Sequence, residues 1–306
     1  MPAASPLAAP ARRPARGPER LVLLSAVLFG TTGTAQALGP DGTSPLTVGA
    51  ARIAIGGALL VAIALARRAL RDGTRWSRLP ALAGAMGVAA YQLSFFAAVD
   101  ATGVAIGTVV ALGSGPAFAG LLGLALRGER PTGRWAVATA LAIAGAAILV
   151  LAGGDAADVD PVGVLLALVA GASYGLYTVT SKTLLDGGHS PEGVMGVAFG
   201  TGAVLLAPAL IVGDSGWVAT PGGAALAVYL GIVPTAVAYV LFARGLERLP
   251  AASVATLTLA EPLTAAALGV VALGERPGPV AGAGALLVLS GLVVLAARPR
   301  RAVTAP

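Results

Sequence analysis

Two ionisable side chains stand inside long apolar runs of this chain. They are Glu261, in Leu259-Ala260-Glu261-Pro262-Leu263, and Arg52, in Ala51-Arg52-Ile53-Ala54-Ile55. A charge held in the middle of a bilayer costs about 2.5–3.5 kcal/mol on insertion scales, so each should face a cavity or a partner. A carboxylate such as Glu261 can take and release a proton there, or bind an amine. The structural alternative is a glutamate that caps backbone groups freed by Pro262. Thr258 and Thr264 lie three residues either side of Glu261, on the same helical face. Arg52, about two turns into its own helix by the 3.6-residue period, can bind an anionic group such as a carboxylate, pair with Asp100, or snorkel to fix helix depth.

Polar aromatics and amides recur at comparable depth: Tyr91 and Gln92, Tyr174 and Tyr177, and Tyr239. Helical spacing puts Tyr174, Tyr177 and Ser181 on one face, Thr32 and Gln36 on another, and Thr235 and Tyr239 on a third. Buried hydroxyls seek partners. Together these groups can wall a cavity for a small polar solute, or they can bond helix to helix. Gly103/Gly107, Gly171/Gly175 and Gly196/Gly200 permit close helix contact. Pro116, Pro208, Pro234 and Pro262 fall inside apolar runs and can bend or break them. Pro116 and Pro262 are 146 positions apart, which marks them as paired hinges or broken helices.

Other chemistries lack their residues. There are no cysteines and only one histidine, so thiolate catalysis, disulfides and Cys-metal sites are excluded and no metal centre or cofactor is expected. The histidine, His189, sits beside a helix start and is assigned no catalytic role. No Gly-x-x-x-x-Gly-Lys-Ser/Thr motif is present for ATP.

The elements that must position these groups are membrane helices. The chain is 57% hydrophobic and 11% charged, where a soluble domain carries about 25% charge. Ten apolar spans are predicted: Leu21–Leu38, Leu46–Ala66, Leu79–Val99, Thr102–Leu126, Thr132–Ala152, Val162–Ser181, Pro191–Gly213, Gly223–Ala243, Pro250–Leu273 and Gly278–Ala296. Ser44-Pro45 and Ser190-Pro191 read as helix starts, serine as N-cap and proline at the first position. Leu21–Phe29 followed by Ala35-Gln36-Ala37 has the outline of a cleavable signal peptide. Cleavage would leave nine spans and break the repeat described next, so the first span is read as retained.

Gly128-Glu129-Arg130-Pro131 recurs as Gly274-Glu275-Arg276-Pro277, 146 positions later, and the same offset relates Ser44-Pro45 to Ser190-Pro191. Glu129 and Glu275 each precede a helix-opening proline and would complement the helix dipole. With the N-terminus in the cytoplasm, 18 of the 20 basic residues fall inside. Only Arg276 lies outside, and Arg52 lies within a span. That asymmetry supports the span count and orientation and explains the net charge of +6 without nucleic acid. Five spans per half is odd, so the halves should have opposite orientations. The expected fold is an all-α membrane protein of ten transmembrane helices in two inverted five-helix repeats, residues 21–152 and 161–297, with both termini cytoplasmic. A basic tail at 1–20, read as disordered, and another at 298–306 flank the repeats.

These residues resemble the drug/metabolite transporter superfamily, specifically its EamA-type exporters with two tandem repeats. The resemblance is carried by Phe29-Gly30, Arg52, the run from Tyr91 to Ala98, Leu259-Ala260-Glu261-Pro262-Leu263 and Leu273-Gly274-Glu275. It covers about residues 20–297. It implies a multi-pass protein of the bacterial cytoplasmic membrane that exports amino acids or other small metabolites. Gly115-Pro116 stands where the second half has Glu261-Pro262, so the role of Glu261 is asymmetric. The expected function is secondary active transport of a small polar metabolite such as an amino acid, by alternating access and with protons coupled through Glu261. An intramembrane enzyme and a non-transporting membrane scaffold are the alternatives. Partners would be a small-molecule solute, the lipid bilayer and, optionally, a second copy in a homodimer.

Overall fold

The computed structural model describes residues 17–71, 75–152, 160–274, 276 and 278–296, without the side chains of Val104 and Ala105. Both tails, Glu275, Pro277, and the acidic residues Asp155 and Asp158 lie outside the described residues. Every regular element described is helical. We number the long helices α1 (Pro18–Ala37), α2 (Pro45–Ala66), α3 (Arg78–Gly103), α4 (Ile106–Arg127), α5 (Gly133–Leu151), α6 (Pro161–Asp186), α7 (Pro191–Val212), α8 (Pro221–Leu246), α9 (Ala251–Leu273) and α10 (Pro279–Ala296). Among the described residues, nine of these, α2 to α10, are long and apolar enough to cross a membrane. The tenth, α1, has 20 residues but carries Thr31, Thr32, Thr34 and Gln36 in its second half, which dilutes its hydropathy.

Helix starts follow the expected chemistry. Ser190 accepts from the Gly193 amide at 3.3 Å and Thr132 from the Trp135 amide at 3.2 Å. Ser44 occupies the cap position of α2 without a side-chain bond. Several helices run further than predicted. Lys182 belongs to α6 and Arg244 to α8, while Asp100 lies in the last turn of α3. The α3–α4 junction is made at Gly103, whose φ of +80° is open to glycine. Two helices depart from α geometry: α8 has a π segment at Ile232–Val237, around Pro234, and α9 has a 3₁₀ turn at Thr258–Ala260. Pro262 then opens the α-helical remainder of α9. The expected partner break does not occur, because α4 stays helical through Pro116.

Helices pack in reciprocal fashion. α6 docks on α3 and α4, α1 docks on α8 and α9, α2 pairs with α7, and α5 pairs with α10. Backbone crowding sets these pairs. A β-carbon at Gly145 would lie 2.5 Å from the Val288 amide nitrogen, and one at Gly284 would lie 2.8 Å from that of Leu149.

One end of the bundle carries a network of ion pairs. Arg127 donates to Glu129 at 2.7 Å, to Thr183 at 2.9 Å and to Asp186. Asp186 also pairs with Lys182, whose Nζ donates to the Glu247 carbonyl at 3.0 Å. Arg244 donates to Glu192 at 2.6 Å. Glu129 is therefore engaged by Arg127, beyond any service to the dipole of α5. His189 is buried at the same end and stacks on Trp76 at 3.9 Å. At the opposite end the Thr47 hydroxyl donates to the Asp214 carbonyl and accepts from Trp217 Nε1, each at 3.0 Å.

Candidate functional site

Between the helices lies a cavity of about 400 Å³. Its lining runs from Arg52, Glu261, Tyr174 and Tyr239 at mid-depth to Gln36, Pro45, Val99 and Val150, near the helix ends remote from the ion-paired end. Towards the ion-paired end the centre is packed: Tyr177, Phe199, Phe242 and Leu246 are all buried, and Thr139 bonds Thr256 at 2.8 Å. The cavity is one-ended.

Nine of the residues expected to wall a cavity meet here, Glu261, Arg52, Tyr91, Gln92, Tyr174, Tyr239, Thr32, Gln36 and Thr258, whereas Ser181 and Thr235 are absent from its lining. Tyr177 is absent too. It sits a turn from Tyr174 towards the packed end, 2% exposed, with its ring against Tyr174, Phe199, Tyr239 and Phe242. Thr264 does not line the cavity either, because it packs where a β-carbon of Gly30 would be.

The break in α9 explains how Glu261 is presented. The 3₁₀ turn ends at Ala260, and Glu261 starts the next helical segment with Pro262 behind it. Proline is tolerated in a first helical turn, where its missing N–H is not needed. The Glu261 carboxylate makes no hydrogen bond to another described residue, and Arg52 acts on it electrostatically. Arg52 Nε is likewise buried without a hydrogen-bond partner among the described residues. The two charges stand on separate helices, and the structure brings both to one cavity. Arg52 is not paired with Asp100, which is exposed at the end of α3.

Three wall groups are occupied with stitching helices together. Gln92 Nε2 donates to the Gly49 carbonyl at 3.1 Å and ties α3 to α2. Tyr174 and Thr258 share a hydrogen bond of 2.8 Å between α6 and α9, and Thr258 in turn donates to the Ala255 carbonyl. Tyr174→Phe should remove the α6–α9 link at a cost of about 1 kcal/mol. A thermal unfolding scan of the detergent-solubilised protein would register it as a lowered midpoint, and an unchanged midpoint would show that the bond contributes nothing.

Sequence reasoning missed much of the apolar lining. Phe29, Phe95 and Phe96 face the cavity, with Leu112, Val150 and Leu259. Tyr91 and Phe95 stack at 5.6 Å with ring planes 7° apart. Their i, i+4 spacing was the available signal, but an apolar residue in a membrane helix looks the same whether it meets lipid or a cavity.

A bundle of membrane-spanning helices around a one-ended cavity, with two charges that lack hydrogen-bond partners among the described residues, is the form of a multi-pass membrane transporter. The comparisons agree, and the chain belongs to the EamA-like transporter family, whose model matches residues 19–151 and again 161–297. It is 42% identical over 285 residues to an uncharacterized transporter, YwfM, of Bacillus subtilis (strain 168), covering 93% of this chain and 95% of that one. A probable terminal-alkyne amino-acid exporter of Streptantibioticus cattleyicolor is 31% identical, over 90% of this chain and 91% of its own length. The threonine/homoserine exporter RhtA of Escherichia coli (strain K12) is 32% identical, over 85% and 84% respectively. A crystal structure with 24% sequence identity superposes with a TM-score of 0.76, covering 92% of this chain and 98% of its own, and shares the fold. The protein is therefore a multi-pass transporter of the cell membrane that handles a small-molecule solute.

Proposed function

We propose that this transporter exports a small polar or amphipathic metabolite, an amino acid in the first instance, by alternating access and in exchange for protons. The observation that carries the reading is that a carboxylate, Glu261, and a guanidinium, Arg52, neither hydrogen-bonded among the described residues, share the wall of one cavity. The relatives named as amino-acid exporters support the substrate class.

Alternating access follows from an inverted repeat of residues 21–152 and 161–297. The reciprocal packing supports it: α1 docks on α8 and α9 as α6 docks on α3 and α4. Gly30 meets Thr264, and Gly175 meets Phe118, which is Thr264 less 146 positions. With the ion-paired, basic end in the cytoplasm the cavity faces outward. A proton arriving from outside neutralises Glu261 and releases the substrate ammonium held there. The protonated carrier turns inward, gives its proton to the cytoplasm and binds the next solute. One proton enters as one zwitterion leaves.

The test is efflux from proteoliposomes loaded with a panel of labelled amino acids under an imposed pH gradient. Acidification of the side that receives the solute should accelerate efflux, and a protonophore should abolish the acceleration. Efflux that proceeds equally without a gradient would remove proton coupling, and no movement of any amino acid would remove the substrate class.

A further inference from the structure

The cavity is built unequally. Six of its lining residues are aromatic, Phe29, Tyr91, Phe95, Phe96, Tyr174 and Tyr239, in a chain with only six phenylalanines and five tyrosines. Tyr91 stacks on Phe95, and its ring lies 6.3 Å from that of Tyr174, so α3 and α6 together present a continuous aromatic wall. The charges come from other helices, Arg52 on α2 and Glu261 on α9.

The 146-residue offset shows how specific this division is. Positions matching Arg52 and Glu261 in the other half hold Ala198 and Gly115. Those matching Tyr91 and Phe95 hold Val237 and Leu241, which line a separate groove beside Arg67. Neither the charges nor the stacked aromatic pair has a twin at this offset, so the cavity combines two charges with an aromatic wall that the other half does not repeat. Gly115 itself makes room for the wall, since a β-carbon there would lie 3.0 Å from Tyr174 Cδ1.

We propose that the cavity selects zwitterionic amino acids with a bulky apolar or aromatic side chain. This rests on the exporter reading above. Arg52 receives the carboxylate, for which a guanidinium fork is suited, and Glu261 receives the ammonium. The side chain lies against Tyr91, Phe95 and Tyr174, where aromatic packing adds to the burial of apolar surface. A cavity of about 400 Å³ falls among ordinary small-ligand sites, which span roughly 300–1,000 Å³. A short hydroxylated side chain such as that of threonine would leave the aromatic wall unfilled.

The experiment is competition in proteoliposomes of the full chain, with phenylalanine, leucine and threonine at equal concentration. Phenethylamine and 3-phenylpropionate serve as analogues lacking the carboxylate and the ammonium. Phenylalanine and leucine should outcompete threonine by about ten-fold or more, the scale that apolar contacts supply. Each analogue should fall behind phenylalanine by a similar factor. Phe95→Ser should bring the phenylalanine-to-threonine ratio close to one. Phe95→Leu, a milder change, should retain leucine preference and weaken phenylalanine. Arg52→Gln should erase the discrimination against phenethylamine. Threonine moving as well as phenylalanine through the wild-type protein would overturn this selectivity and leave the exporter reading standing. An unchanged ratio in folded Phe95→Ser would overturn the aromatic wall as its source. If no amino acid moves at all, the amino-acid substrate class of the exporter reading fails and this inference fails with it.

Discussion

Glu261→Gln is expected to abolish gradient-driven efflux, with a loss of about 100-fold or more, the scale of removing one essential proton-transfer group. Glutamine preserves the size of the side chain, so the cavity should survive. What disappears is the ability to exchange a proton for a substrate ammonium. Glu261 is the cavity's carboxylate, and the equivalent position 146 residues earlier is Gly115, so no twin can take over. The measurement is efflux at matched protein density, with and without a pH gradient. Residual slow exchange that no longer responds to the gradient fits the account. Full gradient-driven efflux by the variant would reduce Glu261 to a structural part of the broken helix.

Gly145→Leu is expected to be the most damaging change away from the cavity. Gly145 on α5 and Gly284 on α10 bring the two backbones together, and a β-carbon at Gly145 would lie 2.5 Å from the Val288 nitrogen and 2.6 Å from the Gly284 carbonyl. Both obstacles are backbone atoms, so no rotamer change relieves the clash. The helices must separate. Membrane helices hold together through close packing rather than hydrophobic burial, and separation removes that contact along the whole pair. Overpacking of this kind costs about 1–3 kcal/mol and more where nothing can yield. Thermal unfolding in detergent should show a large fall or no folded protein. A variant as stable as wild type would mean that the α5–α10 contact is looser than described.

How much of the site was legible follows from what each residue broadcasts. Glu261 and Arg52 were legible because a charge in an apolar run is rare and expensive. Their meeting in one cavity was not, because sequence counts depth along each helix separately, while the break at Thr258–Ala260 and the packing of α2 and α9 decide where side chains converge. Tyr174 and Tyr177 share a face by periodicity, but they are a turn apart in depth, and only Tyr174 reaches the cavity. Pro116 and Pro262 looked equivalent by position, yet α4 remains helical through Pro116 while α9 changes geometry just before Pro262. The helices themselves were legible from hydropathy. Their ends were less so, since Lys182 and Arg244 read as loop residues although each continues its helix and joins the ion-pair network.

The central claim is that this one cavity is the solute path and is exposed to each side in turn. The chain has no cysteine, so Leu112→Cys places a single thiol on the cavity wall. The decisive measurement is its rate of modification by a membrane-impermeant maleimide applied to either face of oriented membranes, with and without a transported amino acid. The account predicts reactivity from both faces, slowed by the amino acid. A thiol reactive from one face only, at a rate indifferent to solute and pH, would contradict it.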